Sequence, residues 1–278
     1  MMKIGFLGPR GTFSEEALRK YTERLKEYEV CEYTTIPDLI MAVENKEIDE
    51  AIAPIENSLE GGVNSTLDLL AAVEDILIKA EVAIDIRENL LAKKGTKTED
   101  IRMILSHPQP IGQCRQYIND NFPDATIKIV YSTAGAAEEV ASSKENCAAI
   151  GAALAAEVYG LEILAAGIQD GFNNTTRFVV ISHNDSGPTG NDKTSIVFST
   201  EDKPGSLYSI LDIFNLWDIN MTKIESRPAK NQLGRYIFFV DIEGHIEDDN
   251  IRDALTMIQR KTSFYRFLGS YPMYVTTE

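Results

Sequence analysis

Residues 170–181 carry the side chains best suited to chemistry. Asn174 and Thr176 lie in a polar loop, and Arg177 and Phe178 stand where this loop enters a run of β-branched residues. A strand entry is a rigid mount, so it can fix a hydroxyl, a guanidinium and an aromatic ring at one edge of a cleft. Threonine offers a neutral proton, and arginine offers a planar fork for a carboxylate. An ordinary loop-to-strand junction can contain the same residues.

Polar loops at the ends of four predicted strands add to this chemistry. Each puts hydroxyl or amide side chains where a helix is about to begin, which is the composition of a helix N-cap. In a parallel sheet the strands end at one shared edge, and ligands bind there against helix N-termini. Any one loop could be only a helix cap, but four of them predict a cleft that holds an anion with uncharged donors. The four loops are 8–14, 54–58, 106–110 and 131–134.

The elements that position these loops alternate between strand and helix over residues 1–182. This order predicts an α/β domain with a largely parallel sheet, and nearly all-apolar strands predict that both sheet faces are covered. Strands are predicted at 3–7, 30–33, 50–53, 83–91, 103–105, 126–130, 147–150 and 178–181. Helices are predicted at about 14–27, 37–45, 66–78, 110–121, 134–142 and 152–159.

A turn-rich segment at 186–192 predicts a linker, and the chain length of 278 residues also suggests two domains. Beyond the linker the order becomes β-α-β-β-α-β, which is that of a ferredoxin-like domain. Its predicted strands are 194–200, 219–226, 236–242 and 264–269, its helices are 205–216 and 249–261, and its hairpin turn is 228–234.

Composition argues against several classes of function. The net charge is −16 with only 27 lysines and arginines, and phosphate binding needs a basic face, so we expect no nucleic-acid partner. Long apolar stretches and a signal peptide are missing, which predicts a cytoplasmic protein without a membrane partner. The three cysteines lack CxxC spacing and the three histidines lack HxxxH spacing, so we expect reduced thiols and no metal. Nucleotide-binding motifs are also missing, so we expect no cofactor.

The polar loops together resemble the signature blocks of the prephenate dehydratase family. The matching blocks are 8–14 with Ala17, 54–58, 106–110 with Gln113 and Cys114, 132–134, and 174–178. Residues 204–207, Asn220 and 225–228 resemble the ACT regulatory domain that follows the dehydratase domain in this family. The resemblance covers nearly the whole chain and starts at Ile4, which leads us to expect a monofunctional enzyme.

This resemblance implies the conversion of prephenate to phenylpyruvate, carbon dioxide and water in phenylalanine biosynthesis. Thr176 would be the hydrogen-bond donor or acid to the departing hydroxyl, Arg177 a carboxylate clamp, and Phe178 part of the wall around the ring. The other residues expected to bind substrate are Asn57, Glu56, Ser106, His107, Gln113, Ser132, Thr133 and Asn174. Glu56 would repel a dianion unless it is protonated or turned outward, so it could instead orient Asn57 or cap a helix. His107 could instead shape its loop.

The resemblance also implies a two-lobed catalytic domain over 1–184, similar to type II periplasmic binding proteins. One lobe would comprise about 1–77 and 165–184 and the other 78–164, and closure would expel water. An ACT domain over 193–278 would pair with a second copy, giving a homo-oligomer (a dimer or tetramer), and bind L-phenylalanine as feedback inhibitor. The residues expected to bind this effector are Gly205, Ser206, Leu207, Asn220, Glu225, Ser226, Arg227 and Pro228.

Two alternatives stay open. An arogenate dehydratase would act on a substrate with an amino group in place of the side-chain ketone, and nothing in the loops separates the two enzymes. A non-catalytic amino-acid sensor would keep both domains without the chemistry, although the intact block at 176–178 argues against it. In the second domain, Ser206 and Asp218 stand where alanine and glycine are usual, and we expect aspartate to tolerate a left-handed turn there.

Overall fold

The computed structural model describes residues 1–171, 173–229 and 235–274. The strands are β1 (Met2–Leu7), β2 (Tyr28–Tyr33), β3 (Glu50–Asn57), β4 (Gly61–Gly62), β5 (Leu77–Asp85), β6 (Asn89–Ala92), β7 (Met103–Ser106), β8 (Thr126–Ile129), β9 (Cys147–Gly151), β10 (Glu162–Ala165), β11 (Thr175–Ser182), β12 (Asp192–Ser199), β13 (Met221–Pro228), β14 (Tyr236–Glu243) and β15 (Phe264–Pro272). The α-helices are α1 (Phe13–Thr22), α2 (Ile36–Glu44), α3 (Asn64–Ala72), α4 (Pro108–Gln113), α5 (Arg115–Asn121), α6 (Thr133–Ser142), α7 (Ala153–Tyr159), α8 (Ser206–Leu216) and α9 (Asp249–Lys261).

The chain forms two compact units, each assembled from three stretches of sequence. The first consists of Met1–Leu39, Ile52–Val63 and Val82–Phe178. The second consists of Ile40–Ala51, Asn64–Glu81 and Val179–Glu278. No helix in the described part of the chain is long and apolar enough to cross a membrane.

Three sheets organise the strands. Their orders are β2-β1-β3-β11-β5 with β4 beside β3, β10-β6-β9-β7-β8, and β13-β14-β12-β15. β1 pairs with β2 in parallel, and β7 pairs in parallel with both β8 and β9. β9, in the middle of the second sheet, is buried along its whole length, in keeping with its apolar sequence.

Part of the second sheet departs from the predicted parallel arrangement. β6 pairs antiparallel with both β9 and β10, so this sheet is mixed. Of these strands, β10 was not predicted, because its four residues are only partly buried and include no run of β-branched side chains. Short, half-exposed strands at a sheet edge carry a weak sequence signal.

Several predicted boundaries were wrong where a turn interrupts an apolar run. The predicted strand 83–91 is two strands, because β5 ends at Asp85 and β6 begins at Asn89. The predicted helix 66–78 ends at Ala72, and its last two residues belong to β5. The predicted helix 110–121 is interrupted at Cys114, which separates α4 from α5. An apolar run alone cannot distinguish a buried helix from a buried strand.

The ferredoxin-like order predicted for the C-terminal part is confirmed: β12, α8, β13, β14, α9 and β15 follow one another around an antiparallel sheet. α9 shows why this region folds as it does. Its buried residues Ile251, Ala254, Leu255 and Ile258 recur at helical spacing and pack into the core beneath the sheet. The predicted hairpin turn at 228–234 falls largely on residues 230–234, which lie outside the described residues.

Gly269 in β15 is a position where only glycine fits. Its φ is +135°, and a Cβ at this position would lie 2.2 Å from the backbone oxygen of Ile78, in the same unit. We expect Gly269→Ala to lower the free energy of unfolding by about 3 kcal/mol, because a backbone carbonyl cannot yield as a side chain can. Gly190→Ala is the matched control, since φ is +86° there with nothing within 4 Å. It should lose only about 1 kcal/mol. Equal losses for the two variants in urea denaturation would contradict this account.

Candidate active site

A cleft of about 400 Å³ lies in the first unit and is lined by residues from both predicted lobes. β3 ends at Asn57 and β11 begins at Thr175, so the carboxamide of Asn57 meets the hydroxyl of Thr176 at one edge of the sheet. Seven of the predicted site residues line the cleft: Asn57, His107, Gln113, Ser132, Thr133, Thr176 and Phe178.

The side chain of Asn57 has one permitted orientation. Its Oδ1 accepts the backbone N–H groups of Leu59 at 3.0 Å and Glu60 at 3.1 Å. Its Nδ2 must therefore donate, and it does so to Asn174 Oδ1 at 2.7 Å and to Thr176 Oγ1 at 2.9 Å. Because the Thr176 oxygen accepts this bond, its own proton can be given to a ligand in the cleft.

The same direction of hydrogen-bond donation continues from Asn57 through Asn174 to Gln113. With its oxygen occupied by Asn57, the Asn174 carboxamide donates from Nδ2 to Gln113 Oε1 at 3.1 Å. The Gln113 amide then turns its Nε2 donors elsewhere, and Gln113 lines the cleft. A single chain of hydrogen bonds thus leaves two neutral donors, one hydroxyl and one amide, at the cleft.

Three of the four predicted N-caps are confirmed, and they bring helix N-termini to the cleft. Thr12 caps α1, His107 caps α4 through Nδ1, and Ser132 Oγ accepts the N–H of Gly135 at 2.9 Å in α6. The fourth loop, 54–58, is not a helix start, because β3 continues to Asn57 and the amide of that residue caps a turn. The partial positive charge of a helix N-terminus favours a bound anion.

Four predicted site residues do not line the cleft. Glu56 immediately precedes the cleft residue Asn57 on β3, and Arg177 immediately follows the cleft residue Thr176 on β11. Because successive residues of a strand point to opposite faces, Glu56 and Arg177 point away from the cleft. Arg177 Nε lies 3.6 Å from Glu56 Oε2, and neither residue is among those that line the cleft. Ser106 is fully buried and donates to the Ile150 carbonyl at 2.8 Å. Asn174 is buried and is bonded to Asn57 and to Gln113, both of which line the cleft.

The first part of the chain matches a known family. A sequence profile of prephenate dehydratase matches residues 4–186. The chain belongs to the prephenate dehydratase family. A profile of the ACT domain matches residues 194–256, so an ACT domain follows the prephenate dehydratase domain.

Individual proteins are similar to the chain over nearly its whole length. The chain is 42% identical over 271 residues to a prephenate dehydratase from Methanocaldococcus jannaschii, and the match covers 96% of each protein. It is similar to the crystal structure of prephenate dehydratase in complex with L-Phe from Arthrobacter aurescens, with a TM-score of 0.88 and 37% identity over 98% of this chain and 90% of the other. A structure described as a novel type of quorum-quenching acylase has a TM-score of 0.87 and 30% identity, covering 98% of both chains.

The cleft contains one carboxyl group that was not predicted from the sequence. Glu88 lines the cleft, is 2% exposed, and its Oε2 has no hydrogen-bond partner among the described residues. Burial, reinforced by the negative charge of Glu16, raises the pKa of Glu88 to about 7. The sequence offered no specific signal, because Glu88 stands next to other polar residues, Asp85, Arg87 and Asn89. Described lining residues include no lysine or arginine.

The predicted effector residues are dispersed within the described chain. Gly205, Ser206 and Leu207 line a depression of about 290 Å³ at the start of α8, and the φ of Gly205 is +82°. Asp218 adopts the expected left-handed conformation with φ +53°. The remaining five contact other groups or lie on β13: Asn220 donates to Glu243, Glu225 pairs with Lys223, Arg227 pairs with Asp68, Ser226 is exposed, and Pro228 lines a separate pocket.

Glu88 should make the stability of the protein depend on pH. Its native pKa of about 7 exceeds its ordinary value of 4.5, so the native state holds a proton that the unfolded chain releases. The resulting stabilisation is complete below pH 4.5 and is lost as the pH rises through 7. Glu88→Gln, which stays neutral, should therefore gain on the order of 2–3 kcal/mol over wild type between pH 5 and pH 8.

Urea denaturation of both proteins at the two pH values measures this gain. Glu138→Gln is the control, because Glu138 is exposed on α6 and carries the same charge. A stability difference between Glu88→Gln and wild type that does not change with pH would show that Glu88 ionises normally.

Proposed function

We propose that the protein is a prephenate dehydratase that converts prephenate to phenylpyruvate, carbon dioxide and water. The observation that carries this proposal is the family match over residues 4–186, which includes the Asn57–Thr176 pair at the cleft. We further propose that L-phenylalanine inhibits the enzyme through the ACT domain, as a relative whose structure contains L-Phe suggests.

The chemistry requires a cleft of this kind. Prephenate is a dianion, and its ring becomes aromatic when the ring carboxylate and the ring hydroxyl both leave. In our proposal the Thr176 hydroxyl donates to the departing oxygen, and Phe178 forms part of the wall around the ring. Gln113, Ser132, Thr133 and His107 bind substrate oxygens. Neutral donors in a site that excludes water stabilise developing charge strongly, because the local dielectric constant is low.

Residues behind the cleft would act by positioning. The ion pair between Arg177 and Glu56 ties β11 to β3 next to Thr176 and Asn57, so we assign both residues a positioning role rather than substrate contact. Ser106 is the last residue of β7, and its bond to the Ile150 carbonyl ties this strand end to β9. The loop of His107 begins at the same end of β7. Asn174 would orient Gln113.

We propose that the catalytic domain spans 1–184, with lobes of about 1–77 plus 165–184 and 78–164, and that the ACT domain spans 193–278. L-Phenylalanine would bind beside Gly205, where the N-terminus of α8 can receive a carboxylate. β13 is an edge strand of its sheet, and an edge strand can pair with another chain, which supports a homo-oligomer formed by ACT domains. We expect the enzyme to work in the cytoplasm, as a biosynthetic enzyme.

Incubation of the purified protein with prephenate tests the activity, with phenylpyruvate followed by its alkaline absorbance. We expect turnover within the usual range of about 1 to 10³ s⁻¹, and at least tenfold suppression by saturating L-phenylalanine. Faster turnover of arogenate would change the substrate assignment. Folded protein that converts neither compound, or that only hydrolyses N-acyl substrates, would refute the proposal. Turnover insensitive to L-phenylalanine would remove the effector assignment alone.

Asn57→Asp tests the polarity of the hydrogen-bond chain with almost no change in shape. An aspartate can still accept the N–H groups of Leu59 and Glu60, but it cannot donate to Thr176. The Thr176 hydroxyl would then donate to the introduced carboxylate and be lost to the substrate, so kcat for prephenate should fall about 100-fold or more. Asn184→Asp, at an exposed position, controls for the added charge. A kcat within threefold of wild type would disprove this ordering.

A further inference from the structure

Glu88 occupies the cleft in a state that the proposed roles of its neighbours do not explain. A carboxyl group that is 2% exposed would normally be paired, yet Oε2 has no hydrogen-bond partner in the described chain. The side chain lines the same cavity as Thr176, Gln113 and His107. A buried carboxyl group that lines a substrate cleft and has one oxygen without a protein partner among the described residues is a candidate for a direct role in the chemistry.

The proposed reaction consumes a proton. Prephenate dianion plus one proton gives phenylpyruvate monoanion, carbon dioxide and water. The bond between the ring carbon and the carboxylate breaks and leaves its electron pair in the ring. The carbon–oxygen bond on the opposite side of the ring breaks with its electron pair on oxygen, and that oxygen must receive a proton to leave as water. Some group at the cleft has to supply this proton.

Other cleft groups supply a proton poorly. The Thr176 hydroxyl is a weak acid, so it can donate a hydrogen bond but is a poor source of a full proton. His107 accepts the backbone N–H of Gln109 at Nδ1, so this nitrogen has no proton to give to a substrate. A carboxylic acid is most effective when its pKa is close to the working pH, and the pKa of Glu88 is raised to about 7.

We propose, on the basis of the function assigned above, that Glu88 enters the reaction as a neutral carboxylic acid and delivers the proton with which the substrate hydroxyl leaves as water. The carboxylate formed on Glu88 recovers its proton from solvent after product release. A protonated Glu88 also removes the repulsion that an ionised carboxylate would exert on a dianionic substrate. One group thus permits substrate binding and assists departure of the hydroxyl.

The charges around Glu88 act in the required direction. Burial is the main cause of the raised pKa of Glu88, and the negative charge of Glu16 on α1 is the second cause. The pKa of the buried Cys114 thiol is raised by burial and by the charge of Glu88. The other titratable groups at the cleft are His107 and Tyr131. Since no lysine or arginine of the described chain lines the cleft, no cationic side chain there favours the ionised form of Glu88.

The pH dependence of prephenate turnover tests the proposal. For wild type, kcat/KM should fall tenfold per pH unit above about pH 7, as the free enzyme loses the proton of Glu88. In kcat the same decline should lie at higher pH, because a bound dianion holds the proton more tightly. Glu88→Gln should lower kcat about 100-fold or more, change KM far less, and lose the alkaline decline.

Two further variants separate chemistry from a structural effect. Glu16→Gln removes a negative charge near Glu88, so its alkaline decline in kcat/KM should move to lower pH. Glu138→Gln makes the same charge change at an exposed position of α6 and should keep the wild-type profile. His107→Gln should keep the alkaline decline if Glu88, and not the imidazole, is the titrating group.

The outcomes are distinct. Lack of turnover by folded wild type would refute the proposed function itself. Turnover with an alkaline decline that Glu88→Gln leaves in place, or with kcat of that variant within threefold of wild type, would refute only the role of Glu88. If Glu88→Gln does not fold, Glu16→Gln decides, because an unmoved decline in that variant overturns the assignment.

Discussion

The carboxamide of Asn57 is the constraint on which the cleft depends. Its oxygen is committed to two backbone N–H groups, so its nitrogen must donate to Thr176 and Asn174. Every later bond inherits this direction, and donors are left facing the cavity. A protein of net charge −16 can in this way offer an anion a local environment of neutral donors and helix N-termini.

Burial of polar groups at this cleft has two consequences. It strengthens each neutral hydrogen bond to a substrate, because the effective dielectric constant falls. It also penalises an ionised carboxylate, which is the main reason why the pKa of Glu88 is raised to about 7. Tight binding of an anion and retention of a proton on a nearby acid therefore have the same physical origin.

The residues of the ACT domain that are expected to bind its ligand do not come together as the cleft residues do. Gly205, Ser206 and Leu207 share one depression, while the other expected effector residues contact unrelated groups along β13 and at its start. A single chain thus does not bring these residues around one cavity among its described parts. In the homo-oligomer that we propose, residues of a second copy would be available to complete the effector site.

The sequence by itself determined the types of most elements, the order of the ferredoxin-like domain and seven residues of the cleft, because periodicity and capping are local properties. Tertiary structure alone decided that Arg177 faces Glu56 and not the cleft, and that Glu88 is buried without a partner for its Oε2 among the described residues. The direction of a strand side chain depends on register, and burial depends on residues distant in sequence. Asn57 and Thr176, which are 119 positions apart, meet only in the folded chain.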